Sequence, residues 1–277
     1  MITLQLVWLL LIGVLIIGYA VLDGFDLGVG FWHLFAKKGA ERSTFIRAIE
    51  PFWDGNEVWL LTAGGALFAA FPPVYATVFS GFYLALILVL LGLILRAVSI
   101  ECRNKVGDPR WVAVWDVAFA VGSILPSLLY AVAIGNLLRG LPLNATGDYT
   151  GGFWALLNPY ALTVGLVGLS MFAIHGALYL AVKTGGETQR KARAWAAKAW
   201  WAYAPLFMIA AGWTSHGGYL RGGAAVPQML GALAALAIGL VRIFNRQGRD
   251  LSAFLASCAG IALVMLGVVA VLFPNLV

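Results

Sequence analysis

Asp23, Asp26, Asp54, Glu57 and Asp116 lie inside or at the margins of long apolar runs. A carboxylate there costs roughly 3 kcal/mol or more unless it is paired or faces water. Asp23 and Asp26 are three residues apart and so share one helical face, and Asp54 and Glu57 repeat the spacing. Acids held in this way suit the uptake and transfer of a proton or another small cation. A structural reading stands beside that one: Asp54 caps a helix N-terminus, and the acids neutralise Arg47 and Arg96. Gly24, Gly28 and Gly30 surround the first pair and Gly55 lies inside the second. Gly24 and Gly28 form a small-xxx-small pattern that permits close helix approach, and a flexible backbone beside acids can admit water. Gly24, Gly28, Gly55, Asn56 and Arg96 are therefore expected to serve packing and structure.

The elements that must position these acids are membrane helices. The chain has 277 residues, of which 62% are hydrophobic and 11% charged, and its mean hydropathy is +0.90. Soluble domains carry about a quarter charged residues. A bilayer core about 30 Å thick needs roughly 20 apolar residues per helix. Apolar runs of that order predict spans near residues 4–30, 57–77, 79–100, 112–137, 159–182, 197–216, 226–243 and 251–273. The fold class is all-α: a polytopic membrane protein of about eight transmembrane helices. It is read as one membrane domain, 1–277. The turn-rich Gly140–Gly152 connection divides it into two four-helix groups, 1–138 and 159–277. The N-terminus runs into Leu4–Ile17 with no basic residue ahead and no small-residue cleavage site, so the first helix is expected to remain in the mature protein.

Charge then gives orientation. The stretches around the ends of the first, third, fifth and seventh spans carry Lys37, Lys38, Arg42 and Arg47; Arg96, Arg103, Lys105 and Arg110; Lys183, Arg190, Lys191, Arg193 and Lys198; and Arg242, Arg246 and Arg249. These are sixteen of the 18 basic residues, and only Arg139 and Arg221 fall in the opposite set. The positive-inside rule places the rich set in the cytoplasm and both termini outside. All five acids then lie toward the cytoplasm, which suggests a one-sided access route for protons or cations. The net charge of +6 is explained by topology, and a nucleic-acid partner is rejected.

His33 and His216 fall at opposite membrane faces and His175 has no second ligand at matching depth, so no haem or metal ligation is expected from this chain. Cys102 and Cys258 stand alone, without a CxxC or CxxCH pattern. Most of the 11 tryptophans suit interface anchoring. Trp53 and Trp59 differ because they flank Asp54 and Glu57, where an aromatic wall would line a path for a quinone or for oxygen.

Two segments carry a family resemblance: Gly18–Gly30, with the sequence GYAVLDGFDLGVG, and Phe52–Pro72, with FWDGNEVWLLTAGGALFAAFP. They resemble signature stretches of subunit II of the cytochrome bd quinol oxidases. The likeness continues through Ser80–Tyr83, Leu95–Val98, Gly135–Gly140, Leu157–Tyr160, His175–Ala177 and Phe273–Val277, and so covers essentially the whole chain. It implies a haem-free subunit of a quinol:oxygen oxidoreductase in the aerobic respiratory chain of the bacterial inner membrane. The expected partner is subunit I, which holds haem b and haem d, and a small single-helix accessory subunit is a further candidate. The acids matching Asp23, Asp26 and Asp54 would help admit protons, with Glu57 and Asp116 added from their placement here. A position matching Trp59 would border an oxygen path, and a quinone would sit near Trp53 and Asp54. Family members commonly continue beyond Phe273–Val277 into a ninth, peripheral helix, so nothing that depends on that helix carries over, and the loop between the sixth and seventh spans is short. The rival from another class is a cation-coupled secondary transporter, since buried acids and glycine-rich helices in two halves also fit that architecture. A pure assembly scaffold is the structural alternative.

Overall fold

The computed structural model describes residues 4–220 and 223–274. Arg221, Gly222 and the closing Asn275–Val277 lie outside the described residues. Ten α-helices are present among them: α1 Leu4–His33, α2 Ala40–Ile49, α3 Trp53–Ala70, α4 Pro72–Gly81, α5 Tyr83–Cys102, α6 Pro109–Arg139, α7 Pro159–Lys183, α8 Gly186–His216, α9 Ala225–Arg246 and α10 Asp250–Leu272. A 3-10 turn, Phe153–Leu157, precedes α7. No strand occurs among the described residues, only an isolated bridge between Leu143 and Tyr149.

Six of these helices, α1, α5, α6, α7, α9 and α10, are long and apolar enough to cross a membrane. The other two expected spans are built differently from a plain apolar helix. The 57–77 run is not one helix. It is broken at Phe71 into α3 and α4, because Pro72 occupies the first turn of a new helix and removes the backbone N–H that would have continued the old one. The 197–216 run is the last two-thirds of α8, a 31-residue helix whose first turns carry Glu187, Arg190, Lys191 and Arg193. The stretch after α1, read in the sequence as a basic loop, contains α2, a short helix that buries Phe45, Ile46 and Ile49.

Local chemistry sets several ends. Asp108 accepts a hydrogen bond from Arg110 N at 2.8 Å and Pro109 opens α6. Asn158 accepts from Ala161 N at 2.9 Å and Pro159 opens α7. The end of α6 is tied to the start of α7 through Asn136, which donates to Leu156 O at 2.8 Å and accepts from Asn158 Nδ2 at 2.9 Å.

The packing is centred on α1 and α7. α1 lies against α3, α6, α7 and α10, while α7 also touches α6 and α8. Glycine makes the closest of these approaches. A Cβ on Gly28 would run into the Phe172 carbonyl and the Gly176 backbone, and one on Gly176 into the backbone of Gly28 and Val29. α5 and α6 meet in the same way, with Gly122 facing the backbone at Gly92 and Arg96. The helix ends bearing most of the basic residues converge at one end of the molecule. There Lys191 Nζ lies 3.0 Å from Glu41 Oε1, Arg193 Nη2 2.6 Å from Asp250 Oδ2, and Lys37 Nζ 3.4 Å from Glu187 Oε1.

Candidate functional site

The acids on α1 lie in its C-terminal half, where the helix is buried among α3, α6, α7 and α10, whereas much of its N-terminal half is exposed. Asp23 and Asp26 are both fully buried. Arg96 of α5, also fully buried, bridges Asp23 to α3. Its Nη1 is 2.7 Å from Asp23 Oδ1, and its Nη2 donates to Glu57 Oε2 at 3.3 Å. Asp26 is held from the other side by Asn56 of α3, whose Nδ2 donates to Asp26 Oδ2 at 2.8 Å. The same Nδ2 lies 3.3 Å from the carbonyl of Leu22. Three carboxyl groups thus share one guanidinium and one amide, so the acids outnumber the cation that could neutralise them.

The satisfaction is incomplete. Arg96 Nη1 and Asp23 Oδ1 are close enough for an ion pair but not aligned as a hydrogen bond. Both Asp23 oxygens, Asp26 Oδ1 and Arg96 Nε have no hydrogen-bond partner among the described residues. Unpartnered polar atoms at full burial are costly, of order 1–3 kcal/mol each. One turn back along α1, Tyr19 donates to the Tyr130 hydroxyl of α6 at 3.2 Å. The polar seam therefore extends from the acids toward the middle of the bundle.

Asp116 belongs to a different group. Its Oδ1 lies 2.6 Å from His33 Nε2 and accepts from Arg103 Nε at 2.6 Å, while its Oδ2 accepts from Arg42 Nη1 at 2.9 Å. Arg42 also donates to the carbonyls of Leu34 and Ala36, which follow the end of α1. Here a single carboxylate is surrounded by cations, the reverse of the Arg96 cluster. The arrangement ties α1, α2, α5 and α6 together at the end bearing the basic residues.

The remaining sequence candidates are spread. Asp54 is exposed in the first turn of α3 and accepts from Gly55 N at 2.7 Å. The N-cap of that helix is Phe52, so Asp54 does not cap it. Arg47 bonds Thr44 rather than any of the five acids. Trp59 is half-buried with its indole laid over Gly18 of α1, and Trp53 is half-buried against the main core. Of the glycines, Gly24 is pressed by the Phe172 ring and Gly28 by backbone, whereas a Cβ on Gly55 would meet nothing.

His175 is buried, with Nδ1 on Ser257 Oγ and Nε2 on the Val21 carbonyl, each at 2.9 Å. Both ring nitrogens are engaged by neighbouring helices, as expected of a structural imidazole. Among the described residues no group of three or more His, Cys, Asp or Glu side chains is placed to hold a metal ion. Sequence reasoning did not single out Tyr19, Tyr130, Arg42 or Arg103 as parts of these clusters. Arg96 inside an apolar run was the one signal visible without a structure; the tyrosines carried none, because an uncharged aromatic ring inside an apolar run does not interrupt its hydropathy.

Comparison with known proteins agrees with this architecture. A solved bd oxidase chain from Geobacillus thermodenitrificans superposes with a TM-score of 0.80 at 15% identity, covering 98% of this chain and 85% of that one, a likeness of fold. The cytochrome bd-I ubiquinol oxidase subunit 2 of Escherichia coli (strain K12) is 47% identical over 219 residues, which are 77% of this chain and 58% of that protein. The match to this relative therefore spans somewhat over half of its length. The cytochrome bd ubiquinol oxidase subunit 2 of Bacillus subtilis (strain 168) is 35% identical over 275 residues, 97% of this chain and 80% of that one. A family model described as cytochrome bd terminal oxidase subunit II matches residues 4–277. The chain belongs to the cytochrome bd terminal oxidase subunit II family.

Proposed function

We propose that this chain is the non-haem subunit of a bd-type quinol:oxygen oxidoreductase, that it braces a haem-bearing subunit I, and that it offers protons a route from the cytoplasm. The observation that carries the proton role is the cluster of buried Asp23 and Asp26 and half-buried Glu57 around Arg96. An acid in excess of its counter-charge can take up a proton, which relieves like-charge repulsion within the site, and can pass it on. The cluster lies toward the helix ends that bear the basic residues, which by the positive-inside rule face the cytoplasm.

In this reading the bilayer is crossed eight times. The broken pair α3 and α4 and the apolar part of α8 add to the six plain spans, both termini lie outside, and 1–138 and 159–277 form two four-helix groups of one domain. The haems b and d belong to the partner. Asp54, exposed on α3, hands protons inward across the interface with subunit I. Trp53 and Trp59 border the space used by oxygen or quinone, and Asp116 with its cationic shell closes the cytoplasmic end.

The test uses the assembled complex, recognised by the haem d band in its reduced-minus-oxidised spectrum. Asp23→Asn and Asp54→Asn are expected to lower quinol oxidase turnover by about a hundredfold, the low end of what a positioned proton-transfer group contributes, while the haem spectrum is kept. Full turnover in both variants and in their double overturns the proton role. A stable chain that purifies without any haem-bearing partner overturns the oxidase assignment and favours a transporter.

A further inference from the structure

α8 packs closely on α7 and α9 on α10, but α8 and α9 touch each other only sparsely. The wedge left between them is a cavity of about 370 Å³. Its walls include Val167 of α7, Phe207 and Met208 of α8, Ala232 of α9, and Leu263 and Val268 of α10. Polar side chains enter the lining only where α8 stops and α9 begins, at Thr214, Ser215, His216 and Gln228. Thr214 is already bonded to Tyr160 and to the Ala210 carbonyl. His216 and Gln228 are exposed, with His216 Nδ1 2.8 Å from the Gly212 carbonyl.

Three glycines face this space, and none of them is needed for a helix contact. A Cβ on Gly212 or Gly231 would meet nothing within 4 Å, and one on Gly267 would meet only Leu230 Cβ at 3.9 Å. Glycine within a helix costs about 1 kcal/mol relative to alanine. At Gly28 that cost is offset by backbone contact with α7, whereas at these three positions its visible result is open volume.

The occupant follows from place and size. The walls are apolar helices at bilayer depth, so the medium that reaches the cavity from the side is hydrocarbon. A hydrocarbon chain of the surrounding lipid is slender and flexible enough to enter a wedge between two helices from its lipid-facing side. The volume does lie in the range of about 300–1,000 Å³ typical of small-ligand sites. We infer that the cavity holds one acyl chain of a membrane phospholipid, with its headgroup at His216 and Gln228 on the face opposite the basic helix ends.

The test is made on the whole complex, purified with its partner and placed in nanodiscs of phosphatidylethanolamine carrying a diazirine in the acyl chain, followed by photolysis and peptide mass spectrometry. Adducts are expected to concentrate on Phe207, Met208 and Leu263. They should fall about fivefold or more, as a share of all adducts on the chain, in the Gly231→Leu/Gly267→Leu variant. Ala232→Phe serves if the double variant does not co-purify with the partner. Adduct shares equal in parent and variant overturn the proposal. So does a quinone that extracts stoichiometrically with the parent and is lost from the variant while the phospholipid adducts stay unchanged. The readout is adduct position and not turnover, so it stands apart from the fate of the acids' proton role.

Discussion

Arg96 and Asp116 show opposite ways of burying charge. Arg96 is one cation among three acids, whereas Asp116 is one acid among two arginines and a histidine. Removing Arg96 leaves the buried Asp23 and the half-buried Glu57 without their counter-charge, and breaking a buried pair from one side costs about 3–5 kcal/mol. Arg96→Met is therefore expected to lower the thermal midpoint of the purified complex strongly, and adding Asp23→Asn should recover part of that loss, since the two residues are in contact. An unshifted midpoint in Arg96→Met would contradict the cluster as described. The sequence exposed the acids through their cost in an apolar run. It could not say which acids share a cation, because Asp23, Glu57 and Arg96 come from three helices whose neighbours are set by packing. Asp54 and Asp116 both stood at the margin of an apolar run, and one is exposed while the other is enclosed by cations.

Among the elements, the α1–α7 crossing is the closest contact on which the site depends. Gly28 and Gly176 let the two backbones touch, which fixes the rotation of α1 and with it the direction of Asp23 and Asp26. Gly28→Val forces the helices apart, and overpacking of this kind costs about 1–3 kcal/mol or more. The yield of assembled complex should fall severalfold, as read by haem content per membrane protein. Gly55→Ala is the control: with open space at the Cβ position and the better helix propensity of alanine, yield should hold or rise. The sequence grouped both glycines by their proximity to acids and marked Gly28, through its small-xxx-small spacing from Gly24, for close helix approach; the packing adds the partner of Gly28 and the open space at Gly55. The division at Phe71 was half-visible. The proline pair announced a turn, but a hydropathy window averages across the break and reports one span where two helices stand.

For the whole molecule, the orientation is open to direct measurement. In a background lacking Cys102 and Cys258, a cysteine in place of Lys191 should react with a membrane-impermeant maleimide only after the cells are opened, and one in place of Gly147 should react in intact spheroplasts. The reverse pattern would invert the topology and move the acid cluster to the outer half. The sequence by itself determined the class of molecule, the approximate course of the plain spans and the uneven distribution of charge. Each of these is a sum over neighbouring residues, in which apolar length sets a span and basic residues mark its ends. Only the tertiary structure decided which acids meet Arg96, which acid is enclosed by cations, which glycines touch backbone, and where α8 and α9 leave room for a ligand. These depend on the rotation and proximity of helices far apart in the chain, and one residue of rotation, about 100°, turns a side chain from the bundle to the lipid without changing the hydropathy of the run.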